Sequence, residues 1–330
     1  MKAGDLRFLL ALTTPLAPLV GCRLGDNFHA FWIFFIVIPA LDWLVGKRAS
    51  AADRSEIVRL EESLWFRVLL VAYVPMHLAL ILWGAWIVGG DTLSAGQAVG
   101  LTLSIGLVTG SQGITIAHEL GHRRSRLERW LARVLLASVS YGHFTVEHNR
   151  GHHVRVATPE DPASARYGEA FWRFLPRTLI HSFVHAWQLD RSYVLASSAA
   201  TLASAGALSW AFGPLALAFF FGQSAMAVLL LEAVNYIEHY GLQRKRLPDG
   251  KYERFGEQHA WDANEWLTNC YLIHLQRHAD HHLEPGRPYA ALQPREQSPK
   301  LPTGYAGMLP LALLPPLWFA VMNPRVPKAA

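Results

Sequence analysis

Cysteine and charge are scarce in this 330-residue sequence. Its two cysteines, Cys22 and Cys270, stand far apart and form no CxxC or other zinc spacing. The sequence therefore indicates neither a disulfide framework nor a site built from thiolates, such as an iron–sulfur cluster. Charged residues make up only 17% of the chain, against roughly 25% in soluble domains. This shortage of charge argues against an ordinary soluble protein.

Apolar residues are abundant instead: they make up 52% of the chain and gather into long runs. A bilayer core of about 30 Å needs around 20 residues of helix. We therefore predict an all-α integral membrane protein, a single domain over 1–330. Six transmembrane helices are predicted, at about 7–22, 28–46, 66–89, 97–117, 193–212 and 215–234. A last apolar piece, 305–322, is interrupted by prolines, and we expect it to lie on the surface or to be partly embedded.

The basic residues lie mostly in the polar regions. The short connections 23–27, 90–96 and 213–214 contain a single one, Arg23. Loops rich in Lys and Arg stay in the cytoplasm. We therefore predict a multi-pass protein of a bacterial inner membrane, with transmembrane helices at 7–117 and 193–234. The remaining regions, 118–192 and 235–330, form a cytoplasmic helical cap. We expect membrane lipid around the chain and no nucleic-acid partner.

Four short segments hold nine of the sixteen histidines. They read HELGH at 118–122, EHNRGHH at 147–153, NYIEHYG at 235–241 and QRHADHH at 276–282. Spacings of three or four residues place imidazoles on one face of a helix, which is a metal-binding arrangement. The predicted topology puts all four segments on one side of the membrane. A transporter would instead place its ionisable ligands near mid-membrane.

The number of histidines indicates more than one metal ion. A tetrahedral site takes four ligands, so nine imidazoles fit two metals with four or five each. Imidazole suits iron, zinc, copper and nickel. A histidine site that keeps open positions favours Fe(II) and dioxygen.

These motifs resemble those of the membrane alkane monooxygenases, within the fatty-acid-desaturase-like group. The resemblance extends along nearly the whole chain, including ATPEDP at 157–162 and LPTGY at 301–305. NYxEHYG in particular separates alkane hydroxylases from acyl desaturases. The chain departs from the family pattern at 261–265, which reads WDANE where WNSNH is usual. It also departs at Ala279, where Ser is usual, and at Glu284, where His often follows.

The resemblance implies a non-haem di-iron enzyme that converts alkanes to 1-alkanols with dioxygen and electrons from rubredoxin. The alternative is a related hydroxylase or desaturase acting on acyl, aromatic or terpene substrates. Matched by position, the ligands of the two Fe²⁺ ions are His118, His122, His148, His152, His153, His239, His278, His281 and His282. No catalytic residue is predicted beyond this metal centre.

Three further groups of residues are predicted around the centre. Carboxylates next to ligands, and one histidine a turn away, are expected to hydrogen-bond the ligand rings: Glu119, Glu147, Glu238, Asp280 and His274. Large apolar residues are expected to line a substrate channel: Phe34, Phe35, Trp43, Trp83, Trp86, Ile114 and Ile116. Two basic clusters are expected to attract an acidic rubredoxin: Arg123, Arg124, Arg126 and Arg129, with Arg244, Lys245 and Arg246.

Overall fold

The structure is a computed structural model that describes residues 2–327, and it is helical throughout. Over these residues there is no β-strand, only three isolated bridges. Fourteen helices, counted with their π-helical turns included, follow one another in the order α1 Leu16–Leu24, α2 His29–Val45, α3 Arg54–Glu62, α4 Leu64–Gly89, α5 Ala95–Gly121, α6 Arg126–Ala137, α7 144–155, α8 Phe171–Leu189, α9 Arg191–Phe212, α10 Pro214–His239, α11 Trp266–Tyr271, α12 His278–Leu283, α13 Tyr305–Ala312 and α14 Pro315–Met322. The predicted all-α class is confirmed.

Four of these helices, α4, α5, α9 and α10, are long and apolar enough to cross a membrane. A fifth candidate is the pair formed by the 3₁₀ helix Ala3–Thr13 and α1, which meet at a 48° bend. The bend falls at Pro15, whose ring fixes φ and removes a backbone donor. Helix α2 has 17 residues, about 25 Å at 1.5 Å per residue, which is short for a bilayer core. The structure thus contains four or five candidate spans, and the count of six stays a prediction.

Local sequence signals place the ends of the long helices. Ser94 forms a capping box with Gln97 at the start of α5, and Asp190 accepts a hydrogen bond from the Tyr193 amide at the start of α9. Such caps satisfy backbone donors that have no partner within the helix. Gly213, with φ of 87°, separates α9 from α10. The two helices therefore form the tight hairpin expected from Gly-Pro.

Two glycines let α5 lie directly against α10. A Cβ atom on Gly106 would come within 2.6 Å of the Gln223 carbonyl oxygen, and one on Gly110 within 2.7 Å of the Ala227 Cα. Small residues at a helix interface allow this close approach of two backbones. As a result, the histidine-bearing ends of α5 and α10 reach the same region of the molecule.

The C-terminal apolar piece folds back onto α10. It forms the two short helices α13 and α14, and the Trp318 ring packs 5.0 Å from the Tyr236 ring, between centroids. Tyr305 donates a hydrogen bond of 2.9 Å to Glu238 on α10. Neither helix is long enough to be a candidate span, in line with the proline interruptions in this piece.

Candidate metal centre

The nine predicted histidines come together in two groups. In each group the ligating atoms lie within 4.8 Å of one another. The larger group consists of His118, His122, His148, His153 and His281. The smaller consists of His152, His239, His278 and His282. The groups adjoin each other, since the ring centroids of His153 and His282 are 4.4 Å apart.

Each pair of consecutive histidines is divided between the two groups. His152 belongs to the smaller and His153 to the larger, and His282 and His281 divide in the same way. Residues 148–152 form a π-helical turn within α7, a feature that is frequent at functional sites. Consecutive side chains on a helix point in directions about 100° apart. One pair can therefore serve two adjacent centres.

The spacing of the ring nitrogens in the smaller group suits a metal ion. The Nε2 atom of His278 lies 3.0 Å from Nε2 of His239 and 2.9 Å from Nε2 of His282, and Nε2 of His152 lies 3.3 Å from that of His282. A metal ion about 2.0–2.1 Å from each imidazole nitrogen would place neighbouring nitrogens at about these separations. The residues present therefore fit a metal.

The larger group contains ring nitrogens that lack a protein partner. The Nε2 atoms of His118 and His122 are buried and make no hydrogen bond among residues 2–327. A buried polar atom left unpaired costs about 1–3 kcal/mol. A bound metal ion would satisfy both nitrogens.

Burial favours the neutral form of six of these imidazoles. It lowers the pKa of His122 to about 4, with a further contribution from the positive charge of Arg123. Burial, together with neighbouring histidines, also lowers the pKa values of five others well below the usual range: His148, His153, His278, His281 and His282. Neutral imidazoles have a lone pair available for a metal at pH 7.

One side-chain acceptor and one backbone acceptor orient two histidines of the smaller group. Nδ1 of His152 donates to the Asp161 carboxylate at 2.8 Å, and Nδ1 of His239 donates to the His259 carbonyl at 3.0 Å. Both histidines therefore present Nε2 to the centre. Burial alone would lower the pKa of His152, but the charge and hydrogen bond of Asp161 outweigh it and raise the pKa. A more basic imidazole is a stronger ligand.

Asp161 is the principal residue that the sequence reasoning missed. Its carboxylate is buried and also accepts hydrogen bonds from the Ser164 hydroxyl and the Ala163 amide. Asp161 belongs to the ATPEDP motif, and this motif is the sequence feature from which its role could have been predicted. Nine residues separate Asp161 from His152, so no helical spacing connects the two.

The four predicted carboxylates have different surroundings. Only Glu238 lies against a ring nitrogen of a ligand, with Oε2 3.3 Å from Nε2 of His278. This is the nitrogen that faces His239 and His282, so Glu238 lies on the inner side of the centre. Glu147 lies 3.7 Å from Nδ1 of His185, a histidine outside both groups.

Glu119 and Asp280 instead hold the segment 287–295 against the centre. Glu119 accepts hydrogen bonds from the Arg123 side chain at 2.5 Å and the Tyr289 amide at 3.1 Å. The Asp280 carboxylate pairs with Arg287 at 2.9 Å and with Arg295, and it accepts from the Gln293 amide. His274 also points to this segment, since its Nδ1 donates to the Tyr289 carbonyl.

A narrow apolar cavity reaches the histidines from the helical bundle. Phe34, Phe35 and Ile114 line it at positions expected for a channel wall, and His118 and His278 line it as well. Its other residues come chiefly from α5, α10, α11 and α13. The cavity does not extend to Trp43, Trp83, Trp86 or Ile116. Trp43 and Trp86 point outward and are 83% and 58% exposed, since each lies on the outer face of its helix.

The basic clusters proposed for docking differ in exposure. Arg124, Arg126 and Arg129 are exposed, whereas the Arg123 side chain is 12% exposed and paired with Glu119. Arg244 donates a hydrogen bond to the Val154 carbonyl on α7, and Arg246 donates one to the nearby Gly250 carbonyl. Lys245 is exposed between them.

Two departures from the family pattern contact each other. The Asp262 carboxylate accepts a hydrogen bond of 2.9 Å from the Ala279 amide. Burial raises the pKa of Asp262 to about 6. Glu265 forms an ion pair of 3.1 Å with Lys47. These changes therefore support the backbone around α12 without replacing a histidine of either group.

Comparison with known proteins identifies the family. Residues 93–312 match the fatty acid desaturase family model. An alkane 1-monooxygenase 2 from Pseudomonas aeruginosa is 44% identical, covering 92% of this chain and 86% of that protein. An alkane 1-monooxygenase 2 from Alcanivorax borkumensis is 38% identical over 98% and 91%. The hydroxylase component of a xylene/toluene monooxygenase from Pseudomonas putida is 26% identical over 93% and 86%.

The resemblance in the histidine motifs is thus confirmed along nearly the whole chain. Residues 2–327 contain both long apolar helices and two groups of clustered histidines. The chain belongs to the alkane 1-monooxygenase family, within the larger fatty acid desaturase family.

Proposed function

We propose that this protein is a di-iron alkane 1-monooxygenase that hydroxylates the terminal methyl group of alkanes. The main observation behind this proposal is that an apolar cavity ends at the two histidine groups. Residues of both histidine groups, His118 and His278, line the same cavity as Phe34 and Phe35. A substrate without polar atoms can be held only by such a surface.

The reaction consumes R–CH₃, dioxygen, two electrons and two protons, and it yields R–CH₂OH and water. Bound iron supplies the dioxygen chemistry, which side-chain acids and bases cannot perform. The larger histidine group would hold one ion and the smaller group the other. The apolar cavity binds the alkane, excludes bulk water and limits which carbon reaches the centre.

Glu238 lies where the apolar cavity reaches the histidines, a position from which its carboxylate can bind and release a proton. Its side chain lines the cavity, and its Oε2 atom faces His278. The Tyr305 hydroxyl holds the other carboxylate oxygen at 2.9 Å. We propose that Oε2 of Glu238 holds one of the protons that the reaction consumes.

The proposal includes an orientation of the chain in the membrane. Six transmembrane helices hold the chain in a bacterial inner membrane, with the histidine centre on the cytoplasmic side. Alkanes partition into the bilayer, so substrate enters the cavity from lipid. Support for this arrangement comes from the four or five candidate spans and the distribution of basic residues.

The function is tested with membranes containing the full chain, reduced rubredoxin, labelled dioxygen and alkanes of graded length. We expect a 1-alkanol that contains one labelled oxygen atom. No labelled alkanol at any length would refute the assignment. An alkene without label would identify a desaturase, and a benzylic alcohol formed from xylene in preference to any alkane would identify an aromatic hydroxylase.

Shortening Phe34 is expected to change which alkanes are accepted. In Phe34→Ala, the cavity gains the volume of a phenyl ring, so longer chains fit. One methylene in an apolar pocket is worth about 1–3 kcal/mol. The ratio of kcat/KM for a long alkane to that for a short one should rise by about tenfold or more. Competition between two alkane lengths measures this ratio directly.

Trp43→Ala is the matched control, because Trp43 lies in the same helix but outside the cavity. We expect its length preference to equal that of the unmodified chain. An equal shift in both variants would mean that the cavity is not the substrate site.

Reversing exposed charges near the centre tests the donor-docking proposal. Rubredoxin is the proposed donor, and Arg124→Glu with Arg126→Glu should lower its kcat/KM by about tenfold at low salt. The difference should shrink as salt rises, because ions screen exposed charges. Arg54→Glu with Arg173→Glu makes the same change in net charge at other exposed positions. Equal effects in the two double variants would contradict docking at α6.

A further inference from the structure

A polar cavity of about 330 Å³ lies beside the metal centre but away from the apolar cavity. Its wall is formed by the N-terminal 3₁₀ helix, the segment after α2, α11 and the region just before α12. Four basic side chains line it: Lys2, Arg7, Arg48 and Arg277. Neither the histidine centre nor the proposed substrate path uses it.

The two acidic residues of this cavity are already paired. Asp5 forms an ion pair with Arg59 at 2.9 Å, and Glu56 forms ion pairs with Lys2 and Arg59 at 2.7 and 2.6 Å. Two carboxylates and two cations thus balance each other at the edge of the cavity. The other three arginines that line the cavity are not part of these ion pairs.

Arg7, Arg48 and Arg277 form no ion pair with any residue in 2–327. The Arg7 and Arg48 guanidinium groups lie over the Phe8 and Trp266 rings, 4.8 and 4.9 Å from the centroids. Arg277 donates to the Leu292 carbonyl. The Nε atoms of Arg7 and Arg277 are buried without a hydrogen-bond partner.

The three guanidinium groups line one cavity, and both acidic residues of its wall pair with other cations. Uncompensated cations in a partly buried cavity are unfavourable. An anion with several oxygen atoms would offset these charges and accept hydrogen bonds from the free N–H groups. Guanidinium groups match phosphate in this way.

The surroundings of the cavity favour a phosphate that belongs to a lipid. Arg7 stands between the exposed Leu6 and Leu9, and Arg48 follows Leu44 and Val45, which are 68% and 44% exposed at the end of α2. Exposed apolar side chains next to arginine are typical of the boundary between acyl chains and head groups. The basic residues lie on the side predicted to be cytoplasmic, where anionic lipids gather.

We propose that Arg7, Arg48 and Arg277 bind a phosphate group, and that its source is the head group of an anionic lipid. The acyl chains lie against the exposed leucines, and the head group enters the polar cavity. This inference rests on the placement of the chain in a membrane but not on its activity. Because Arg277 precedes His278, a bound head group also braces the start of α12.

Native mass spectrometry and thermal melting of the full chain in detergent test the site. The probes are dihexanoyl-phosphatidylglycerol, dihexanoyl-phosphatidylcholine and inorganic phosphate at equal concentrations. Phosphatidylglycerol should remain bound to the chain and raise the melting temperature by about 3 °C. Arg7→Gln with Arg48→Gln should weaken its binding about tenfold or more. Arg54→Gln with Arg254→Gln, which removes two exposed charges elsewhere, should bind like the unmodified chain.

If the double glutamine variant does not fold, Arg7→Lys with Arg48→Lys keeps the charges and should show intermediate binding. A shift of equal size with inorganic phosphate would support the anion site and overturn the lipid source. Equal stabilisation by phosphatidylcholine, or equal binding in the two glutamine variants, would overturn the proposal. It would also be overturned if the variants bound phosphatidylglycerol normally and lost only the interaction with an acidic donor protein.

Discussion

Replacing His239 by alanine is expected to lower turnover at least about a thousandfold. His239 belongs to the group of four histidines, which has no imidazole to spare for a four-coordinate ion. Its Nε2 atom lies 3.0 Å from that of His278, so its loss leaves three ligands and an apolar methyl group. Metal analysis should show bound iron falling from two ions towards one per chain.

His122→Ala provides a contrast within the same centre. His122 belongs to the group of five, so four histidines remain after its loss. We expect iron content close to that of the unmodified chain and a smaller fall in turnover. The exposed His181, which lies in neither group, is the control, and His181→Ala should leave both quantities unchanged. If His122→Ala lost iron as completely as His239→Ala, the division into five and four would be wrong.

Changing Asp161 should weaken iron binding without removing a ligand. Asp161 holds the His152 ring through a hydrogen bond of 2.8 Å and raises the pKa of that imidazole. Asp161→Asn keeps an acceptor but loses the charge, and Asp161→Ala loses both. Partners of this kind contribute about tenfold to a hundredfold in metal affinity. We expect Asp161→Ala to lower the iron affinity by about a hundredfold and Asp161→Asn by about tenfold.

Iron release to a chelator measures this effect independently of turnover. Asp249→Asn, at an exposed position far along the chain, is the matched control. Ser164→Ala removes the hydroxyl that donates to Asp161 at 2.6 Å, and we expect release intermediate between the control and Asp161→Asn. Release from Asp161→Ala at the rate of the control would show that the carboxylate does not support the centre.

Much of the helical framework was predictable because its cause is local. Long apolar runs and their polar ends located α4, α5, α9 and α10 to within a few residues, apart from the polar extensions of α5 and α10 that contain histidines. The first predicted span behaved differently. Its prolines divide it into a 3₁₀ helix and α1, which meet at a 48° bend. Hydropathy averaged over a window of residues cannot reveal such a bend.

An apolar cavity beside the histidines was expected from the sequence, but only some of the residues that line it were predicted. Phe34 and Phe35 line it, whereas Trp43, Trp83 and Trp86 do not. All five are large and apolar, so composition cannot distinguish them. Which face of each helix turns inward depends on its rotation against α5 and α10, and that rotation is set by contacts between residues far apart in the sequence.

The sequence by itself determined the helical membrane character and the nine clustered histidines. Hydropathy and residue spacing express these features within single segments. Only the tertiary structure decided that the histidines divide five and four, that Asp161 supports His152, and that three arginines share one cavity. Those relations join residues from different helices. These contacts form only when α5 packs on α10 through its glycines and brings segments that are distant in the sequence close together.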